Sequence, residues 1–227
     1  MRPVSKGSAP STYNNYRDAK PDLVDRIGEY CCYCERQIET HLAVEHVIPQ
    51  TQCPSSATKW RNFVLSCVNC NSCKLDTPVK LSDHLWPHRD NTLRAFEYRV
   101  GGIVSAHGSL NTALSAKANA TIRLVGLDKR PGLVGREPTS ADKRWLKRQQ
   151  TWSLAQRKRQ DLQAQDTTAL REAIVDIAVS RGIFSIWWTV FNGDADMRCR
   201  LRRAFVGTHH QSFDAQENAV QRARGQV

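Results

Sequence analysis

The hydrophobic and polar pattern predicts a short mixed region followed by a longer helical one. Residues 21–28 begin with proline and end with glycine, as short helices often do. Residues 42–48 and 63–66 are rich in β-prone side chains and lie on either side of a loop of Thr, Ser, Gln and Pro. A brief helix is expected from Asn69 onward. The first part of the chain therefore reads strand, loop, strand, helix.

The middle of the chain predicts a hairpin and a helix. Residues 85–92 form a polar, turn-rich stretch that leads into a hairpin whose turn is the pair Gly101-Gly102. Apolar side chains at helical spacing predict a helix over residues 110–127. The layout of Thr139 and Asp142 is typical of a capping box, which predicts that the next helix begins there.

The remainder of the chain is expected to be mainly helical. An apolar stripe that starts at Leu170 ends at Gly182. The apolar stretch 183–188 is interpreted as core, with a partner-binding surface as the alternative. Residues after Thr208 are expected to form a disordered tail. The predicted organisation is an N-terminal segment (1–27), a compact core (28–80), a mainly helical basic region (81–207) and the tail (208–227).

Charge and hydropathy narrow the class of protein. The formal net charge is +11 and the pI is about 9.5, which favours an acidic polymer as partner, nucleic acid before anionic membrane. No apolar run approaches the length of a membrane span, and the first residues lack the apolar core of a signal peptide. We therefore expect a cytoplasmic protein in a reducing compartment. Its eight cysteines are then expected to be metal ligands or free thiols.

Four of the cysteines form two C-x-x-C pairs, Cys31 with Cys34 and Cys67 with Cys70. This spacing suits two thiolates that share one tetrahedral zinc ion. The interval between the pairs is longer than the roughly 15–20 residues of a simple zinc ribbon, so a further structure is inserted there. Cys32 competes for the first position, but only Cys31 keeps the two-residue gap. The remaining cysteines, interpreted as free or buried thiols, are Cys53, Cys73 and Cys199.

Between and beside these pairs lie residues that suggest the fold also does chemistry. Glu45 and His46 end the first strand, Asn62 precedes the second, and Asn71 follows the last knuckle. A neutral histidine can take a proton from water near pH 7, and carboxylate and amide oxygens suit a hard divalent cation. Strict strand alternation would send Glu45 and His46 to opposite faces, so they share a site only if the strand loses regularity near Pro49. Surface decoration is the alternative for this pair.

This order of residues resembles the HNH endonuclease family, in the branch whose ββα-metal core is clamped by two C-x-x-C knuckles. The resemblance covers about residues 28–78. It implies an α+β fold: a zinc-clamped, treble-clef-like ββα-metal core, followed by a mainly α-helical C-terminal region. It also implies that His46 is the general base, that Glu45 and Asn71 bind Mg²⁺ or Mn²⁺, and that Asn62 orients His46.

Two residues depart from the commonest pattern of that family. Glu45 stands where aspartate is usual, and its extra methylene affects the position and preference of the metal. Asn71 stands where histidine is common, which argues against a soft metal and for Mg²⁺ or Mn²⁺.

Over its whole length, the chain looks like the HNH nuclease subunit of Septu-type anti-phage defence systems and their retron-associated relatives. The stretches that carry this resemblance are residues 30–36, 42–46, 62–63, 67–72 and 85–92. The resemblance implies an ABC/SMC-like ATPase partner that senses infection and controls the nuclease. Three hypotheses stay open: a metal-dependent DNA nuclease, a zinc-stabilised nucleic-acid-binding module, and a non-catalytic subunit of a defence complex.

Basic side chains mark candidate contacts with nucleic acid, with DNA and RNA as the two alternatives. Solvated charge on a helix is the alternative for each of them. They are Lys74, Lys143, Arg144, Lys147, Arg148, Arg157, Lys158 and Arg159. His84, His88 and Asp90 either border the active site or belong to a structural loop.

Overall fold

The structure, a computed structural model, describes residues 1–227 and has the expected α+β architecture. The first half contains α1 (Lys20–Ile27), β1 (Leu42–His46), β2 (Phe63–Cys67), α2 (Val68–Lys74), α3 (Thr92–Ala95), β3 (Phe96–Arg99), β4 (Ile103–Ala106) and α4 (Thr112–Leu124). The second half contains α5 (Arg144–Ala164), α6 (Thr168–Arg181), α7 (Phe184–Val190) and α8 (Ala195–Ala204). None of these helices combines the length and apolar character needed to cross a membrane.

The predicted strand–loop–strand–helix unit is confirmed. β1 and β2 form an antiparallel pair in which Glu45 lies opposite Val64 and His46 opposite Phe63. α2 follows β2 with no intervening residue. The short helix α1 ends at Gly28, whose φ of 73° lies in the left-handed region that glycine tolerates best. The second hairpin, β3 with β4, also has its predicted turn at the glycine pair.

One hydrophobic core joins the two parts of the chain, since its buried cluster runs from Met1 to Val227. Glu35, in the first knuckle, is the main polar link. Its carboxylate accepts hydrogen bonds from the Tyr98 hydroxyl at 2.7 Å and from the Ser185 amide and hydroxyl, both at 2.9 Å. The stretch 183–188 that carries Ser185 lies largely in the core, as expected. The helical part therefore packs directly on the first knuckle.

The expectation of a disordered tail after Thr208 is wrong. Thr208 itself is buried and pairs with Val4 in an isolated β-bridge. The Asn91 side-chain amide donates to the Ser212 carbonyl at 2.7 Å and to the Val220 carbonyl at 2.6 Å. The tail is polar in composition, but hydrogen bonds to the middle of the chain hold it in place.

The expected capping box is also wrong, because α5 begins only at Arg144. Thr139 lies in an irregular loop, and the Asp142 carboxylate does not reach back to it. That carboxylate instead accepts hydrogen bonds from the Arg144 side chain at 2.8 Å and 2.6 Å. Lys143, at the N-cap position, makes no side-chain capping bond. The acid that looked like a cap is the partner of a buried arginine.

Candidate functional site

The two C-x-x-C pairs meet in one buried cluster, as predicted. The sulfur atoms of Cys31, Cys34, Cys67 and Cys70 all lie within 4.8 Å of one another. Four zinc–sulfur bonds of about 2.3 Å in a tetrahedron place sulfur atoms about 3.8 Å apart. The sulfur atoms of Cys34 and Cys67 lie 3.6 Å apart. The four-cysteine cluster therefore fits a structural zinc ion with little movement.

Two guanidinium groups contact the sulfur atoms of this region. Arg36 donates to the Cys67 sulfur at 3.4 Å. Arg144 donates to the Cys70 sulfur at 3.1 Å and to the Cys73 sulfur at 3.4 Å. Burial alone lowers the pKa of Arg144, but Asp142 and the Cys70 sulfur raise that pKa overall. Zinc with four thiolates carries a net charge of about −2, so both arginines reduce the cost of burying it.

The expected role of Arg144 and Arg148 in binding nucleic acid is therefore wrong, since each is only 2% exposed. Arg148 donates to the carbonyls of Gly102 and Leu127, at 2.7 Å and 2.9 Å. Half-buried Lys158 pairs with Asp161, and half-buried Arg159 donates to a backbone carbonyl. The candidates whose side chains remain exposed on this helix and at its start are Lys143, Lys147 and Arg157.

A second site lies at the end of β1, in a cleft of about 360 Å³ that we call the His46 cleft. Its lining includes Glu45, His46, Asn71 and Lys74, so the structure brings together four of the predicted residues. His46 is the last residue of β1, where the chain turns into the loop 47–62. Both Glu45 and His46 line the cleft, and β1 does not continue beyond this pair. Of the four predicted catalytic residues, Asn62 is the one that does not line it.

Contacts around His46 determine which ring nitrogen carries the proton. Nε2 lies 2.8 Å from the Ala57 carbonyl oxygen. A carbonyl only accepts, so Nε2 is protonated and Nδ1 is left as an acceptor. The Gln50 amide nitrogen lies 3.2 Å from both ring nitrogens and can donate to Nδ1, and Tyr16 and Phe63 pack edge-on against the ring. Burial lowers the pKa of His46, the Ala57 carbonyl raises it and Lys74 lowers it further, so the imidazole is neutral at pH 7.

The Asn62 side chain bonds to the loop 47–62 and makes no hydrogen bond to His46. Its side-chain oxygen accepts from the Ile48 amide at 2.8 Å, and its amide nitrogen donates to the Ile48 carbonyl at 2.9 Å and to the Ser56 hydroxyl at 3.1 Å. These bonds close the loop 47–62, which carries Ala57. Asn62 can therefore influence the orientation of His46 only through that loop.

The expected contact of Lys74 with phosphate is also wrong. The Lys74 side chain is 1% exposed, and its ammonium lies 2.8 Å from Glu45 Oε1 and 2.7 Å from the His46 carbonyl oxygen. Lys74 thus holds the Glu45 carboxylate and the end of β1 in place at the wall of the cleft. Burial raises the pKa of Glu45, Lys74 opposes that change, and Asp76 adds to it.

Among the residues that line the His46 cleft, those with polar groups that sequence reasoning missed include Tyr16, Gln50 and Asp76. Asp76 lies two residues after the end of α2, so its position near Asn71 and Lys74 in the sequence could have indicated that it lies near the cleft. Tyr16 comes from a short 3₁₀ helix before α1 that contacts β1, which no spacing in the sequence indicates.

Two comparisons with known proteins agree with this geometry. Residues 31–77 match the family model described as HNH endonuclease. The chain is also similar to the Septu protein PtuB of Bacillus thuringiensis, with 29% identity over 86 residues, which is 35% of this chain and 34% of that protein. The match thus spans about a third of the relative's length. The likeness to the HNH endonuclease family thus lies in residues 31–77, and the likeness to PtuB extends over about a third of each protein.

Proposed function

We propose that this protein is a divalent-metal-dependent endonuclease that hydrolyses phosphodiester bonds in DNA. The observation that carries the proposal is the neutral His46 ring, with Nε2 tied to the Ala57 carbonyl and Nδ1 left as an acceptor in a cleft beside Glu45 and Asn71. A module that only binds nucleic acid needs the zinc cluster and positive charge, but not this arrangement.

His46 acts as the general base in this proposal. Its Nδ1 lone pair accepts a proton from the attacking water, and its lowered pKa keeps that lone pair available at neutral pH. The Ala57 carbonyl holds the Nε2 proton and prevents the ring from turning over. The resulting positive charge on the imidazole is stabilised by the same carbonyl.

The oxygen donors of the cleft suit a hard cation such as Mg²⁺ or Mn²⁺. Glu45 and Asn71 would hold it, and Asp76 adds a second carboxylate to the same cleft. Lys74 bonds one oxygen of Glu45, and the other oxygen has no hydrogen bond within the protein. When bound, the cation supplies neutralisation of phosphate charge and help for the departing 3′ oxygen.

The biological setting proposed is anti-phage defence. The similarity to the Septu protein PtuB supports a nuclease that works with an ABC/SMC-like ATPase, which senses infection and controls cleavage. A cytoplasmic location is part of the proposal, because four thiolates ready to bind zinc suit a reducing compartment.

The test is cleavage of plasmid DNA by the zinc-loaded protein, alone and with the ATPase, across a series of divalent ions. We expect cleavage with Mg²⁺ or Mn²⁺ and none after the catalytic ion is chelated. His46→Ala should stop cleavage while zinc content stays that of the wild type, and His107→Ala, a half-exposed histidine on the second hairpin, serves as the matched control. DNA binding without cleavage under every condition would favour a binding module instead.

A further inference from the structure

A second cavity lies against a different part of the loop 47–62 from the His46 cleft. Its volume is about 850 Å³, more than twice that of the cleft, and it shares no lining residue with it. Ligand pockets in proteins commonly measure about 300–1,000 Å³. Three segments form its walls: residues 6–9, the loop 47–62, and the stretch 81–89. We call it the basic-rim cavity.

The rim of the cavity carries positive charges that no carboxylate neutralises. Lys59, Arg61 and Arg89 are all exposed, and none of their side chains makes a hydrogen bond or an ion pair. No carboxylate lines the cavity. Burial, together with Lys6 and Arg89, lowers the pKa of His88 well below its usual range, so this ring contributes a neutral surface. Three free cations around one opening favour an anionic ligand.

The interior of the cavity is apolar and fixed. Val47, Ile48 and Leu81 line it together with the indole of Trp60, which donates to the Gly7 carbonyl at 2.9 Å. Two of the three N–H groups of the Lys6 ammonium are already used, because they donate to the carbonyls of Trp60 and Phe63, both at 2.5 Å. An apolar interior with a cationic rim suits a nucleotide unit, whose base is flat and apolar on its faces and whose phosphate is charged.

The same cavity accounts for the polar motif at residues 85–92. Asp90 is structural, because its carboxylate accepts from the backbone amides of Trp86 and Gln226, both at 2.7 Å. Asn91 caps α3 and holds the tail. The two residues of the motif left without such duties, His88 and Arg89, are those that line the cavity.

We propose that the basic-rim cavity binds one nucleotide of a nucleic-acid strand, with its base in the apolar interior and its phosphate on Lys59, Arg61 and Arg89. The proposal rests on the proposed function in one respect: the strand is the one that the His46 cleft cuts. An acidic peptide from a protein partner would satisfy the rim but not the interior.

The test compares two triple variants that each remove three positive charges. One is Lys59→Ala, Arg61→Ala, Arg89→Ala, and the matched control is Arg94→Ala, Arg123→Ala, Arg203→Ala, three exposed side chains that lie outside the cavity lining. Both are made with His46→Ala, so that no substrate is cut. Fluorescence anisotropy then measures binding of a labelled single-stranded oligonucleotide and of its duplex over a range of salt concentrations.

We expect the rim variant to bind at least tenfold more weakly than its His46→Ala parent. We also expect its log–log salt slope to fall by about 0.7–0.9, the contribution of the one phosphate that the rim would bind. Unchanged affinity, or an equal loss in both triple variants, would overturn the proposal. Neither result depends on cleavage. The proposed nucleotide site can therefore be refuted while the nuclease proposal stands, and the nuclease proposal can be refuted while the nucleotide site stands.

A second variant tests occupancy of the interior. Leu81→Trp fills the cavity and removes no charge, so affinity should fall while the salt slope stays the same. Unchanged affinity in this variant would show that no base enters. Equal competition by polyglutamate and by an unlabelled oligonucleotide of the same length would likewise count against a nucleotide ligand.

Discussion

Replacing Arg144 with methionine should both destabilise the fold and loosen the four-cysteine cluster. The guanidinium of Arg144 pairs with the buried Asp142 carboxylate, contacts the sulfur atoms of Cys70 and Cys73, and donates to the Val125 carbonyl at 2.7 Å. Methionine keeps the length and apolar bulk of the side chain but removes every one of these donors.

The size of both effects follows from those contacts. Breaking a buried ion pair by removing one partner costs about 3–5 kcal/mol. For a chain of this length, each kcal/mol shifts Tm by roughly 2–4 °C, so we expect a fall of roughly 6–20 °C. Loss of a group that hydrogen-bonds a metal ligand typically costs about 10–100-fold in metal affinity. Zinc transfer to a chromogenic chelator should therefore become about 10–100-fold faster.

Arg148→Met is the matched control. Arg148 is equally buried on the same helix and donates to two carbonyls, but it contacts no sulfur atom. This variant should lower Tm without changing the rate of zinc transfer below its melting temperature. If Arg144→Met releases zinc at the wild-type rate, or if both variants release it equally faster, the argument for charge compensation by Arg144 is refuted.

Three further predictions concern the loop 47–62, the Lys74–Glu45 ion pair and stability in acid. Asn62→Ala removes the hydrogen bonds that close the loop 47–62, and each buried group left unpaired costs about 1–3 kcal/mol. Because this loop carries Ala57, kcat for cleavage should fall while zinc content is kept, and an unchanged kcat would contradict this role. Lys74→Met leaves the Glu45 carboxylate buried without its cation, at a cost of about 3–5 kcal/mol. A Mn²⁺ ion bound to Glu45 would then replace the lost positive charge, so adding Mn²⁺ should raise Tm more in this variant than in the wild type. An equal rise would argue against Glu45 as a ligand. Burial, with Arg222 and His210, lowers the pKa of His209 to about 4, below the roughly 6.5 of an unfolded histidine. Between these two pH values the unfolded chain binds more protons than the folded one. The stability that neutral His209 contributes is therefore present above about pH 6.5 and is lost as pH falls toward 4. Denaturant unfolding at pH 7 and pH 5 should show a smaller loss for His209→Gln, and an identical loss would exclude His209 as a contributor.

Local signals in the sequence were sufficient for the core unit. The glycine that ends α1, the β-prone stretches and the C-x-x-C spacing each act over a few residues, and each predicted element formed. The convergence of Glu45 and His46 depended on where the strand ends, and the sequence permitted this without requiring it.

Long-range contacts explain what the sequence did not predict. Arg144 and Arg148 look like any basic residues on a helix, yet α5 packs against the turn at Gly102, where an added Cβ would lie 2.3 Å from the Trp145 carbonyl oxygen. That close approach buries the face carrying both arginines, and Asp142 and backbone carbonyls compensate them. The tail is held by Asn91, more than a hundred residues earlier in the chain. Such partners are set by the fold and leave no local pattern.

Chemical rescue of His46→Ala tests most directly the claim that His46 takes the proton from water in an HNH cleft. The variant and the wild type are compared for plasmid cleavage in Mg²⁺ or Mn²⁺, with and without added imidazole, and zinc content is measured on the same samples. We expect no cleavage by the variant, partial recovery with imidazole, and a full complement of zinc. Cleavage by His46→Ala at the wild-type rate would contradict the account.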